Sequence, residues 1–178
     1  LGIPSNTLDS YIHKASSNGE IVSLKRNHYV PRDFYEKNKT NTAYLFYLAN
    51  NLLQPSYVSL EAALQYYDLL AEPVDNITSV TLKLPRKFLN RSGKYVYRKI
   101  NEKLFSDFKN THGDFNFVIA LPHKAVFDYL YYYTNYFTKN FHADLLEELR
   151  ISTDNFSKEE KKKLNALIGQ FTSVKLHL

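Results

Sequence analysis

The chain has 178 residues, no cysteine, methionine or tryptophan, and 23 Lys and Arg against 18 Asp and Glu, a formal charge of +5. Its length suits one large domain or two small ones at roughly 100–200 residues each, and a chain of this size buries a core without staples. The lack of cysteine removes disulfide frameworks, thiolate nucleophiles and thiolate zinc sites, in keeping with a reducing cytoplasm. No run reaches the ~18 apolar residues of a membrane span and no leader pattern is visible. The positive charge is mild support for a polyanionic partner. With 15 Tyr and 12 Phe, the core is expected to be aromatic, filled out with Leu, Ile and Val.

The first predicted element is a helix. Ser5 serves as its N-cap, and Leu8, Tyr11, Ile12 and Ala15 recur on one face, opposite Asn6, Ser10, His13, Lys14 and Ser17. Asn18-Gly19 ends it, since glycine reaches the left-handed conformation cheaply. Strand-like runs at 20–24 and 28–30 follow, joined through Lys25, Arg26 and Asn27. A helix followed by a basic-tipped hairpin reads as the back half of a winged helix-turn-helix over residues 1–31. On that reading Leu1–Pro4 is the turn into the recognition helix, and the first helices of the motif are expected to precede it. Polar side chains on such a face read base edges while cations at the wing neutralise phosphates. The candidates for double-stranded DNA are therefore Asn6, Thr7, Ser10, His13 and Lys14 on the helix, with Lys25, Arg26 and His28 on the wing. The same residues also describe the solvated side of an ordinary helix and hairpin.

Residues 32–41 are polar and read as a linker. A helix is expected from Thr42 to Leu53, broken by Gln54-Pro55-Ser56-Tyr57. A second helix follows, capped by Ser59, with a stripe of Leu60, Ala63, Leu64 and Tyr67. Thr78 to Leu84 alternates as a strand, and Tyr95 to Ile100 is its antiparallel partner across the basic loop PRKFLNRSGK. A strand over 115–120 runs into a helix opened by Pro122, where the missing N–H is harmless. Ser157 and Glu160 form a capping box for a charged helix, and SVKLHL reads as a final strand. The fold class is α+β: a small N-terminal module followed by a mixed body over residues 42–178.

Three stretches in the body, YLANNLLQPSYVSLEAALQYYDLLAEPVDNITSVT, KFLNRSGKYVYRKI and IALPHKAVFDYLYY, together with KRNHYVP in the hairpin, resemble the AbiEi family of antitoxins. The resemblance covers roughly Leu1 to Tyr133. It implies a winged helix joined to an antitoxin domain in a regulator of abortive-infection loci. It also implies a type IV arrangement beside a nucleotidyltransferase-like toxin, in which a stable complex is not required. Asn27 and Asp68 stand where the family has glycine, and both residue types tolerate turn conformations. Lys99 and His123 stand where His and Glu are usual.

Read for chemistry, the motifs are mainly architectural, and an enzyme is not expected. Glu61 suits a positive helix N-terminus, and Lys124 and Asp128 are spaced for an exposed i,i+4 pair. The six histidines include no i,i+4 pair with an acidic third ligand, so neither a metal nor a cofactor is expected. Phosphate-loop, nucleophile-elbow and deaminase signatures are missing. Tyr129, Tyr131, Tyr132 and Tyr133 could stack bases, but packing of a core or interface is the favoured role. A second candidate surface, for DNA or an acidic partner, is the basic hairpin of Lys83, Arg86, Lys87, Arg91, Lys94 and Arg98, which reads equally as a solvated hairpin. The favoured function is a DNA-binding autorepressor that is also an antitoxin. The alternatives are an antitoxin that binds protein but not DNA, and a metal-dependent nuclease.

Overall fold

The computed structural model describes residues 5–137 and 145–175. Its first unit is helix α1 (Ser5–Ser17) and an antiparallel hairpin of β1 (Ile21–Lys25) and β2 (His28–Pro31). Leu1–Pro4 lie outside the described residues. α1 closes where Asn18-Gly19 predicts: Gly19 has φ 72°, its N–H donates to Ser16 O at 3.0 Å, and Glu20 N donates to Ala15 O at 2.8 Å, the paired bonds of a Schellman closure. Asn27 turns the hairpin at φ 63°. Of the expected apolar face, Ile12 and Ala15 are half-buried, whereas Leu8 and Tyr11 remain 48% and 65% exposed. α1 touches the described chain chiefly at β1.

The stretch expected as a polar linker is instead a packed helix, α2 (Arg32–Asn38). Two rings inside that polar run anchor it. Tyr35 is buried and donates its hydroxyl to Arg91 O at 2.6 Å, and Phe34 packs edge-on against Tyr44 and Phe115. The hairpin is docked as well. Asn90 Nδ2 donates to Leu24 O at 2.9 Å, Lys25 Nζ donates to Leu52 O at 2.6 Å, and Val22, Leu24 and Val30 belong to the same apolar cluster as the body.

The body runs α3 (Thr42–Leu52), β3 (Ser56–Val58), α4 (Leu60–Tyr66), β4 (Asn76–Thr81), β5 (Arg86–Asn90), β6 (Gly93–Lys99), a 3-10 turn at Glu102–Leu104, β7 (Phe108–Asn110), β8 (Val118–Ala120), α5 (Pro122–Phe137), α6 (Leu145–Glu148) and α7 (Lys158–Lys175). The fold class is α+β, with a mixed sheet ordered β5-β6-β4-β3-β8-β7. Asn41 caps α3 by accepting from Ala43 N and Tyr44 N, and the Ser157–Glu160 box forms at the start of α7, with Ser157 N donating to Glu160 Oε2 at 2.8 Å and Glu160 N to Ser157 Oγ at 3.2 Å.

Four expectations are corrected. β4 and β6 are parallel neighbours rather than an antiparallel hairpin, because the supposed basic loop is itself a strand: β5 turns tightly at Arg91-Ser92 into β6, which inserts between β5 and β4. β4 ends at Thr81 and is buried on both faces from Thr78 onward, so its alternation is no guide to a core side, and Leu84 is exposed. Ser59 occupies the N-cap of α4 but sends its hydroxyl to Asp128; Thr78 Oγ1, from β4, accepts from Ala62 N instead. Residues 173–175 extend α7 rather than forming a strand, and residues 176–178 lie outside the described set.

Helices cover both faces of the sheet. Tyr95 and Tyr97 of β6 point toward α3, where Tyr97 donates to Ala49 O at 2.5 Å. The alternate residues of β6, Lys94, Val96 and Arg98, point toward the side carrying α4 and α5, and α7 packs outside α5.

Candidate functional site

Thr7, Ser10, His13 and Lys14 are all exposed on α1, so the polar face drawn from the sequence is open to solvent. Asn6 is in the helix, but its side chain is outside the described residues. At the hairpin tip Arg26 and His28 are exposed, with His28 Nδ1 3.2 Å from Arg26 O. Lys25 behaves differently. Its ammonium turns inward to Leu52 O and lies 5.9 Å from the Phe88 ring centroid. Burial first, then the neighbouring Lys83 and Arg86, holds its pKa below the ordinary lysine value. Lys25, Lys83 and Arg86 thus form one positive field at the junction of hairpin and body.

The other cations of the basic hairpin divide between the two sides of the sheet. In the β5–β6 ladder Arg86 lies opposite Tyr97, so it shares the face turned toward α3 and the N-terminal hairpin, while Lys87 lies opposite Val96 and shares the face of Lys94 and Arg98. Arg91 sits in the connecting turn, its carbonyl taken by Tyr35. The sequence set therefore supplies two surfaces. The second is a polar cleft of about 390 Å³ between the β5–β6–β4 face, α4, α5 and the segment after Leu69.

In the wall of this cleft Arg98 Nη2 stands 3.8 Å from Glu61 Oε1, too far for a hydrogen bond, and its guanidinium carbon lies 3.6 Å from the centroid of the Tyr132 ring. Glu61 Oε2 and Arg98 Nε are both buried without a hydrogen-bond partner. Glu72, on the rim, pairs with Arg150 at 3.0 Å. Tyr129 also lines the cleft, and burial, more than the nearby Glu61, raises its phenol above the ordinary range. Tyr131, Tyr132 and Tyr133 are half-buried against the core, the favoured expectation for that run.

Lys124 and Asp128 are a correction: the expected exposed pair is fully buried. Lys124 Nζ donates to Asp128 Oδ1 at 2.6 Å and to Leu104 O at 2.7 Å, while Tyr57 Oη and Ser59 Oγ donate to Asp128 Oδ2 at 3.0 and 2.7 Å. Burial raises the Asp128 carboxyl and pushes the Tyr57 phenol well up. With both charged side chains wholly enclosed, the network joins α5 to β3 and the α4 entry rather than meeting a substrate.

His123, next in the chain, is 2% exposed; neither ring nitrogen has a hydrogen-bond partner, and Nε2 is 3.5 Å from Asp107 Oδ1. Burial lowers its pKa, outweighing Asp107 and Glu160, which raise it, while Lys163 adds to the lowering. The folded state therefore takes up the His123 proton only at lower pH than the unfolded chain, where the ring titrates near pH ~6.5. More protons are bound unfolded, so stability is present above that pH and is lost as pH falls through ~6.5 toward the lowered folded value. His123→Leu is expected to flatten the change in urea midpoint between about pH 7 and 5. An unchanged pH dependence would show that the acid sensitivity arises elsewhere.

Pattern reading missed Asn76, Asp75 and Tyr129 as neighbours of the cations. The only signal was the alternation of Lys94 and Arg98 against Tyr95 and Tyr97, which fixes a face but not what lies across from it. Among the described residues no group of three or more His, Asp or Glu is placed to hold a metal ion, and no helix is long and apolar enough to cross a membrane. His142 and His177 are outside that set. No protein-family model, curated protein or solved structure matches this chain.

Proposed function

We propose that the chain is a DNA-binding autorepressor and antitoxin of the kind its motifs resemble, acting in the cytoplasm. In this reading α1 and the β1–β2 hairpin are the recognition helix and wing that meet promoter DNA. The body counteracts a nucleotidyltransferase-like toxin without needing a permanent complex. The observation that carries the DNA half is the pairing of an exposed polar helix face (Thr7, Ser10, His13, Lys14) with an exposed Arg26 and His28 at the tip of the adjoining hairpin. Lys83 and Arg86, exposed on the body near the inward-turned Lys25, add positive charge beside the hairpin. Side chains of this type read base edges and phosphates respectively. The antitoxin half rests on the resemblance of the body's motifs.

The test is fluorescence anisotropy of the full chain on duplex DNA from upstream of its gene and on an unrelated duplex, across a salt series. Arg26→Ala is expected to weaken both and to reduce the slope of log affinity against log salt by about 0.9. Ser10→Ala is expected to change the preference between duplexes while leaving the slope alone. A slope unaffected by Arg26→Ala removes the hairpin from the interface. Failure to bind either duplex leaves the protein-directed antitoxin as the reading to pursue.

A further inference from the structure

We propose that the cleft between the β5–β6–β4 face and helices α4 and α5 binds a nucleoside monophosphate, its phosphate held by Lys87 and Lys94 and its base edge met by Glu61 and Arg98. This goes beyond the DNA and toxin reading, since the cleft lies on the face of the sheet opposite to Arg86 and the N-terminal hairpin.

The outer end of the cleft is an anion clamp. Lys87 and Lys94 are exposed and neither joins an ion pair among the described residues. Lys87 lies opposite Val96, so Lys94 is its diagonal neighbour across the ladder, at a spacing of roughly 7–8 Å from which two long side chains can reach one phosphate. The inner end is a donor beside an acceptor. Arg98 Nε lacks an acceptor and Glu61 Oε2 lacks a donor, although each is buried. Leaving such groups unmet is unfavourable, and the two side chains form an ion pair at 3.8 Å without a hydrogen bond between them. A nucleobase edge presents a donor next to an acceptor, which matches the pair after a small opening of the two side chains.

Charge limits the ligand further. Glu61, Asp75 and Glu72 line the cleft together with Lys87, Lys94 and Arg98, and Glu72 is already engaged by Arg150. The balance suits one phosphate rather than a polyphosphate chain. The volume of about 390 Å³ falls within the ~300–1,000 Å³ of small-molecule sites. Arg98 is held in place by the Tyr132 ring, and Tyr129 supplies an aromatic wall.

The experiment is calorimetric titration of the full chain with AMP, GMP, CMP and UMP. The control ligands are inorganic phosphate, ribose 5-phosphate and the unphosphorylated nucleosides, and a duplex oligonucleotide serves as competitor. At least one monophosphate is expected to saturate with a dissociation constant of about 1 mM or tighter, and inorganic phosphate to bind at least about tenfold more weakly. Lys87→Ala with Lys94→Ala, both exposed positions, is expected to weaken the monophosphate about tenfold or more while leaving its nucleoside unchanged. Glu61→Gln is expected to alter the ranking among the four bases, and thermal unfolding checks that each variant is folded. The proposal is overturned by the lack of saturable binding of any monophosphate at millimolar concentration, or by phosphate alone binding as tightly as the best nucleotide. Unchanged affinity in the folded double variant, or displacement of the nucleotide by duplex DNA, overturns it too. Binding of DNA through Arg26 is unaffected by any of these outcomes, so the two readings fail separately.

Discussion

Replacing Asp128 by alanine is expected to destabilise the fold by about 3–5 kcal/mol, the usual penalty for breaking a buried ion pair from one side. Removing the carboxylate strands the enclosed Lys124 ammonium, left with the Leu104 carbonyl and the faces of the Phe127 and Tyr57 rings, and takes the acceptor away from Tyr57 and Ser59 as well. Asp128→Asn keeps an acceptor for the hydroxyls but leaves the lysine charge uncompensated, so it is expected to fall between alanine and the native residue. Lys124→Met leaves Asp128 with two donors and is expected to be milder than Asp128→Ala. Urea midpoints followed by far-UV circular dichroism give the order. A loss below about 1 kcal/mol for Asp128→Ala would mean that Lys124 finds water and the network is not needed for the fold.

Sequence pattern exposes features that a single residue decides. Gly19 closes α1, Asn27 and Asp68 adopt φ 63° and 56° where a turn was expected, Pro122 opens α5, and Ser157 and Glu160 box α7. Each depends on a local conformational preference, so neighbouring residues suffice to read it. Strands buried on both faces are harder. β3 is three residues long, buried throughout and preceded by proline, so it carries neither alternation nor length. β5 holds two cations and a terminal asparagine and reads as loop, yet it is a strand because β6 pairs with it. The parallel contact of β4 with β6 is non-local, and no residue in either strand announces it.

The candidate surfaces follow the same division. Alternation along β6 is enough by itself to separate Lys94 and Arg98 from Tyr95 and Tyr97. Whether those cations stand alone or face carboxylates depends on α4 arriving with Glu61 across the sheet face. The burial of Lys124 and Asp128 is hidden in the sequence because their i,i+4 spacing is that of a surface pair. What encloses them is α5 wedged among α4, β8 and α7, with Ala125, Val126, Phe127 and Leu130 buried around it.

Tyr35 carries the other large expected effect, and it bears on whether the helix–hairpin unit and the body can be separated. Tyr35→Ala is expected to destabilise the whole chain by about 3–5 kcal/mol, as for other buried aromatics. Tyr35→Phe, which removes only the bond to Arg91 O, is expected to lose about 1 kcal/mol. The helix α2 is no passive tether. Tyr35 ties it to the β5–β6 turn, Phe34 to Tyr44 and Phe115, and the hairpin adds Asn90 to Leu24 O and Lys25 to Leu52 O. A chain starting near Thr40 loses all of these contacts and uncovers the apolar surface beneath Leu24 and Tyr35. Such a fragment is therefore expected to be less stable than a chain that begins before α2 (Arg32–Asn38). Chemical denaturation of the two Tyr35 variants, followed by both far-UV circular dichroism and tyrosine fluorescence, checks the claim. A single shifted transition places hairpin, α2 and body in one cooperative unit. Two transitions, with the body's midpoint unmoved by Tyr35→Ala, would restore the independent modules that the polarity of residues 32–41 suggested.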